Sequence, residues 1–292
     1  MSNHASKEDP PRRTAFFLSD GTGITVENFG RSLLTQFETV KFAQQSLRFV
    51  STVERAREAR RKINETAVFD GVRPLVFSTL VKPEVQAEIK NSNALFLDIF
   101  ATFISPLEEE LGCISSVSTG RFHGLHNVDE YSSRIEAVDF TLNHDDGSTT
   151  RHLDEADVIL IGISRSGKTP TCLYLSLQYG IRAANFPITE DDLERPNLPR
   201  SLLAYKDKLV ALSTEPDRLH RIREARYPNS RYSSLNQCQF EVRQAEALYR
   251  KLRIPCLKTT MKSIEEIAAT IVDLADLERG RGRGPSRSRA HV

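Results

Sequence analysis

The chain lacks an excess of charge of either sign. Lys plus Arg number 40 against 39 Asp plus Glu, a formal net charge of +1. No global field therefore draws in nucleic acid or an anionic membrane, and any polyanion must be met by a local arrangement. The chain also lacks the marks of a disulfide or zinc framework. Its four cysteines, Cys113, Cys172, Cys238 and Cys256, lie far apart with no C-x-x-C pair, which reads as reduced, buried thiols. Long apolar runs are missing too: residues 1–13 are polar and proline-bearing, and no later stretch approaches a membrane span. These absences point away from a secreted scaffold, a membrane protein and a specific nucleic-acid binder, and towards a cytoplasmic globular protein. Residues 1–12 offer no apolar group to offset ordering entropy, and 279–292 is an Arg-rich end interspersed with Gly and Ser. Both are expected to be disordered tails.

What is present centres on Ala156 to Thr169. An apolar run, Val158-Ile159-Leu160-Ile161, leads into Gly162-Ile163-Ser164-Arg165-Ser166-Gly167-Lys168-Thr169, a loop of the form G-x-x-x-x-G-K-T. Two glycines let the backbone curl so that N–H groups converge on phosphate oxygens. Lys168 can then reach the outer phosphates, and the Thr169 hydroxyl can ligate Mg²⁺. A helix is expected at once, with Pro170 in its first turn and Gly180 as its stop. Its N-terminus would face the anion.

The 292 residues suit one large or two modest domains. Before the loop, strands are expected at 14–18, 46–50, 74–78 and 94–98, with helices after each: an amphipathic one carrying Val26, Phe29, Leu33, Leu34 and Phe37, then 52–65, 82–90 and a short acidic segment at 106–111. Apolar strands alternating with helices imply a parallel, doubly wound N-terminal α/β domain, placed at 13–153. Ser19-Asp20-Gly21-Thr22-Gly23 is a second glycine turn between strand and helix, but Val26 stands where a dinucleotide fingerprint would have its third glycine. It is either a tight turn capped by Ser19 or Asp20 or a second anion site. Residues 139–143 alternate like a strand before His144-Asp145-Asp146-Gly147, which predicts a hairpin turn, with acid–base roles for His144 and Asp145 as the alternative. His123 and His126 have metal-ligand spacing but no third partner.

A P-loop-type α/β domain is expected at 154–278, with strands at 183–186, 208–212 and 255–257 and helices at 215–226, 240–252 and 263–274. The last carries a capping box, Ser263 with Glu266. Asp191 and Asp192, after the 183–186 strand, are the candidates for the metal-orienting acid, or else a solvated turn. Arg218, Arg221 and Arg223 are read as a solvated helix face rather than a phosphate clamp.

Phe17 to Gly23, His144 to Gly147, Gly162 to Thr171 and Arg182 to Pro187 together resemble the bacterial phosphoenolpyruvate synthase regulatory proteins, sisters of the pyruvate, phosphate dikinase regulatory proteins. The likeness runs from about Thr14 to about Asp276. It implies a bifunctional serine/threonine kinase and phosphorylase. Such proteins move a phosphoryl group from ADP to a threonine of phosphoenolpyruvate synthase, inactivating it, and use inorganic phosphate to remove it with release of pyrophosphate. The residues then take roles: the N–H groups of Gly162 to Thr169 cradle the diphosphate, Lys168 bridges donor oxygens, and Thr169 holds Mg²⁺. Asp191 orients the metal, with Asp192 as second choice, and Asp20 serves as base or orienter for the acceptor hydroxyl. No H-R-D or D-F-G motif occurs, so the eukaryotic protein-kinase fold is not the template. A small-metabolite kinase and a non-catalytic nucleotide switch are the competing readings. A homo-oligomer is compatible with the sequence.

Overall fold

The structure is a computed structural model and describes residues 12–115, 128–194 and 197–277. Two compact units divide the chain, Met1–Gly124 and Leu125–Val292. In the first, β-prone apolar runs make strands and amphipathic segments between them make helices: β1 Arg12–Leu18, α1 Ile24–Leu34, β2 Lys41–Leu47, α2 Val53–Asp70, β3 Leu75–Ser78, α3 Pro83–Lys90, β4 Leu95–Asp98 and α4 Ile99–Leu111. All pairings are parallel, in the order β2-β1-β3-β4. Phe16, Leu18 and Val76 face one apolar cluster with Ile63 and Ile89; Ala15, Phe17 and Phe77 face another with Val26 and Leu34. Burial on both faces is why β1 reads as an unbroken apolar run.

The second unit holds α5 Val128–Asn143, 3-10 turns at Asp145–Gly147 and Leu153–Glu155, β5 Val158–Gly162, α6 Lys168–Tyr179, β6 Ala183–Pro187 and α7 Glu190–Glu194. A 3-10 segment at Arg200–Lys208, β7 Leu209–Ser213, α8 Pro216–Glu224, α9 Leu235–Leu252, β8 Cys256–Lys258 and α10 Ile264–Leu274 complete it. The sheet is again parallel, ordered β6-β5-β7-β8. The two units are wound alike. In each, the first strand lies inside the sheet, its chain turns through glycines into a helix, and the second and third strands fall on opposite sides of it. That places a topological switch point at the C-terminal ends of β1 and of β5, where doubly wound sheets bind ligands.

The expected α/β class holds, with two parallel sheets and their covering helices. Several local expectations change. The hairpin over 139–147 is absent: residues 139–143 are the last turn and a half of α5, and Asp145–Gly147 is a 3-10 turn. Ala137, Phe140, Thr141 and His144 are the buried positions, a spacing of three and four that is helical, and the polar residues between them only mimic alternation. The segment 125–153, grouped by sequence with the first domain, belongs to the second unit. Strand β2 ends at Leu47 because Phe49 has φ 59, outside the extended region. Helix α4 starts seven residues before Pro106, where the Asp98 carboxylate accepts from the Ala101 N–H at 3.0 Å. Cys172 and Cys238 are buried, but Cys113 and Cys256 are exposed. Arg223 is fully buried rather than solvated. His123, His126 and residues 1–11 and 278–292 lie outside the described residues. No helix among the described residues is long and apolar enough to cross a membrane.

The capping box of α10 is complete: Ser263 Oγ accepts from the Glu266 N–H at 3.2 Å and Glu266 Oε2 accepts from the Ser263 N–H at 2.8 Å. Helix α10 covers one face of the second sheet through Ile267, Ala268 and Ile271. Ser263→Ala should cost about 1 kcal/mol, read as a lower urea midpoint with unchanged slope; an unchanged midpoint would show that the cap adds nothing to the fold.

Candidate functional site

Strand β5 is buried along its whole length and ends at Gly162, where the chain has no space for a side chain. A Cβ there would lie 2.7 Å from the Leu212 carbonyl oxygen and 2.7 Å from Ser166 Oγ. The turn that follows is tight. The Ser166 N–H donates to Ile163 O at 3.3 Å, Arg165 takes a left-handed φ of 72, and Gly167 takes φ 97. Gly167 is the N-cap of α6 and supplies no side-chain acceptor, so no cap competes for the first-turn N–H groups. Pro170 falls in that first turn, and Gly180, φ 68, ends the helix, both as expected from sequence.

Lys168 is only 5% exposed. It folds back over the turn, its Nζ donating to Ile163 O at 3.2 Å. Burial depresses its pKa to about 8, against the opposing pull of Asp146, Cys172 and Asp145. Beside it, Thr169 Oγ1 donates to Asp145 Oδ1 at 3.0 Å. The Asn185 amide nitrogen, from the middle of β6, reaches Asp145 Oδ1 at 2.6 Å and Thr169 Oγ1 at 2.9 Å. The amide orientation follows from the charge, because the reverse would set Asn185 Oδ1 against a carboxylate. Two buried oxygens here have no hydrogen-bond partner, Ser166 Oγ and Asn185 Oδ1. Each such group costs roughly 1–3 kcal/mol, which is what a site prepared for a polar ligand looks like.

The turn that carries Asp145 is held from behind. His144 stacks on Phe140 with ring centroids 4.0 Å apart. Its Nδ1 lies 2.8 Å from Phe140 O and its Nε2 2.7 Å from Arg151 O, while the Asn185 N–H donates to His144 O at 3.0 Å. Both ring nitrogens of His144 are thus engaged with backbone, and it pins the turn. Gly147, at φ 70, leaves only 3.1 Å between a Cβ and Pro187, so the turn sits close against the end of β6.

The acid that meets Thr169 is therefore Asp145, where the sequence reading chose Asp191 and then Asp192. Asp192 Oδ2 accepts from the Thr189 N–H at 2.9 Å and the Thr189 hydroxyl at 2.7 Å, and so caps its own helix; Asp191 is exposed. Asp20 follows β1 in the first unit. The sequence offers Asp145 only as an acid–base alternative to a hairpin turn, since turn chemistry already accounts for it. The available signal was the helical spacing of Ala137, Phe140 and His144, which makes the next residues a helix exit rather than a hairpin. Sequence reasoning missed Asn185 altogether; a lone polar residue inside Ala183-Ala184-Asn185-Phe186 is the trace it leaves.

Among the described residues no cluster of three or more His, Cys, Asp or Glu could cage a metal. The oxygen donors of Asp145 and Thr169 suit a hard cation of the Mg²⁺ kind, which is commonly held by one or two carboxylates with phosphate oxygens and water completing its shell.

In this parallel α/β unit a buried strand thus turns through glycines into an uncapped helix start, with a lysine and a threonine hydroxyl at the turn and N–H groups available to an anion. The chain belongs to the kinase/pyrophosphorylase family, whose model matches residues 15–272. A protein of Pseudomonas aeruginosa (strain LESB58) is 52% identical over 268 residues, 92% of this chain and 98% of its own length. One of Marinobacter nauticus is 51% identical over 270 residues, covering 92% of this chain and all of the relative. One of Herminiimonas arsenicoxydans is 50% identical over 272 residues, 93% of this chain and 96% of its own. All three bear the name "Putative phosphoenolpyruvate synthase regulatory protein".

The depressed pKa of Lys168 makes a signed prediction. Between about pH 8 and the ordinary value of 10.5, the unfolded chain holds a proton on Lys168 that the folded chain has released. Stability from this residue therefore rises with pH across that window and is lost as pH falls through about 8. Denaturation of wild type and Lys168→Met at pH 7 and pH 10 should show the wild type gaining relative to the variant; parallel behaviour would place the ammonium in water.

Proposed function

We propose that this chain is a bifunctional serine/threonine kinase and phosphorylase that regulates phosphoenolpyruvate synthase. In the forward direction a threonine hydroxyl of that enzyme takes the β-phosphoryl group of ADP, the bond to the bridging oxygen breaks, and AMP leaves. In the reverse direction inorganic phosphate attacks the phosphothreonine, restoring the hydroxyl and releasing pyrophosphate. Membership of the kinase/pyrophosphorylase family and the shared name of its relatives support this reading. The observation that carries it is the Asp145–Thr169 contact at the mouth of the glycine turn.

Phosphoryl transfer asks a protein mainly for alignment and charge neutralisation. The backbone from Gly162 to Thr169, with Ile163, Ser164, Arg165, Ser166 and Gly167 between, binds the diphosphate. Lys168 swings its ammonium from Ile163 O to the donor oxygens, exchanging a neutral acceptor for an anionic one; the bound charge also raises its pKa, so it stays protonated. Thr169 and Asp145 would hold Mg²⁺, which would supply charge neutralisation on the diphosphate. Asn185 keeps the Asp145 carboxylate and the Thr169 hydroxyl in register. Since Lys168 in the free protein loses its proton near pH 8, ADP binding above that pH must take up a proton and weakens as pH rises.

Incubation with phosphoenolpyruvate synthase and β-labelled ADP should place label on a threonine. Turnover of small metabolites with no labelled protein would replace this reading with a metabolite kinase, and ADP binding with no transfer would leave a nucleotide switch. Lys168→Ala should lower transfer by about a hundredfold or more. Asp145→Asn should lower Mg²⁺-dependent transfer by a comparable factor while Asp191→Asn stays within about twofold of wild type; the reverse ranking would return the metal-orienting role to Asp191.

A further inference from the structure

Among the described residues, the most deeply buried charge outside the Lys168–Asp145 cluster is Arg223, on α8, with none of its surface exposed. Its guanidinium makes a two-pronged ion pair with Glu241 of α9, Nη1 to Oε1 at 2.9 Å and Nη2 to Oε2 at 2.7 Å. Nη1 also donates to Tyr232 O at 3.0 Å, and the guanidinium lies 4.1 Å over the Tyr232 ring. Its remaining reach is toward the glycine turn: Nη2 donates to Ser164 O at 3.2 Å. The hydroxyl of the same Tyr232 lies 2.9 Å from Ser164 Oγ. Ser164 is thus held at both its carbonyl and its side chain by one stacked pair.

That grip has a geometric consequence. In a trans peptide the carbonyl of one residue and the N–H of the next point in opposite directions. Drawing Ser164 O toward Arg223 turns the Arg165 N–H the other way, and it does so at the residue whose φ of 72 is costly for a side chain larger than glycine. A left-handed Arg165 persists only if its surroundings impose it.

We propose that Arg223, with Tyr232 stacked on it, is a positioning residue that clamps Ser164 and so sets the direction of the N–H groups with which the turn receives a diphosphate. This rests on the phosphate-binding reading of the turn. Because a buried ion pair is costly to break but often neutral to replace whole, the pair can be removed without losing the core. Arg223→Met alone should lower the melting temperature, leaving Glu241 buried without its partner. The double variant Arg223→Met, Glu241→Met should recover most of that loss. In the double variant ADP should still bind at least tenfold more weakly than in wild type, and amide hydrogen exchange at residues 163–168 should be faster while that of β5 is unchanged. Recovery of ADP affinity and of slow exchange along with melting temperature would overturn the proposal and leave Arg223 a packing residue. Should the double variant fail to recover, Tyr232→Phe decides: at unchanged melting temperature it should speed exchange at 163–168 and weaken ADP several-fold, and wild-type behaviour in both would overturn the clamp. If wild type itself does not bind ADP, the exchange rates still judge the clamp, and it is the diphosphate reading that fails.

Discussion

The close approach of the chain at Gly162, with the Leu212 carbonyl and Ser166 Oγ each 2.7 Å from where a Cβ would stand, is the constraint on which the second unit depends. With no side chain in the way, Gly162 sits against the Leu212 carbonyl just beyond the last β5–β7 pair, Ile161 with Ala211, and the turn can fold back over the end of the sheet. The Ile188 N–H then donates to Gly162 O at 3.0 Å, which ties the exit of β6 to the same point. From there the helix start, the lysine and the threonine follow by covalent geometry alone. A larger residue at 162 would push the turn off the strand and move every donor in it.

Around this turn the protein tolerates polar groups in places where folding alone would favour apolar ones. Lys168, Arg223, Asn185 and Ser166 are all at most 5% exposed. The two Nη atoms of Arg223 are paired with Glu241, Tyr232 O and Ser164 O, while its Nε has no partner. Lys168 has a single backbone acceptor, and Ser166 Oγ and Asn185 Oδ1 have none. Domain stabilities of about 5–15 kcal/mol leave little room for several such costs. Their concentration at one strand end is a local cost in stability of the kind found at functional sites.

The first unit repeats the winding of the second without repeating its polar interior. Its glycine turn, Ser19 to Gly23, is tied to itself and to the segment after β2: Ser19 Oγ accepts from the Gly21 N–H at 3.1 Å, and the Ser19 and Val50 N–H groups donate to Leu47 O and Ser19 O. Glu27, buried on α1, is paired with Arg48 at 2.7 Å. Shared topology thus gives both units a switch point, while the chemistry at each is decided by individual side chains.

Much of this was legible in the chain as written. The β5 strand, the Gly162 to Thr169 turn, the helix to Gly180 and the Ser263–Glu266 cap are local, set by periodicity, glycine and capping residues within a few positions of one another, so they can be read without partners. The parallel N-terminal sheet was implied by apolar runs alternating with helices, and the second α/β domain by its glycine turn and the strands and helices around it. What only the tertiary structure decided are the contacts between residues distant in sequence. Asp145 reaches Thr169 across 24 positions and Arg223 reaches Ser164 across 59, and neither separation carries a period. The same polar residue on a helix or turn looks identical in sequence whether it meets water or a buried partner; which of the two it meets depends on where a parallel sheet's strand order carries its neighbours, and that is settled only when the whole chain has packed.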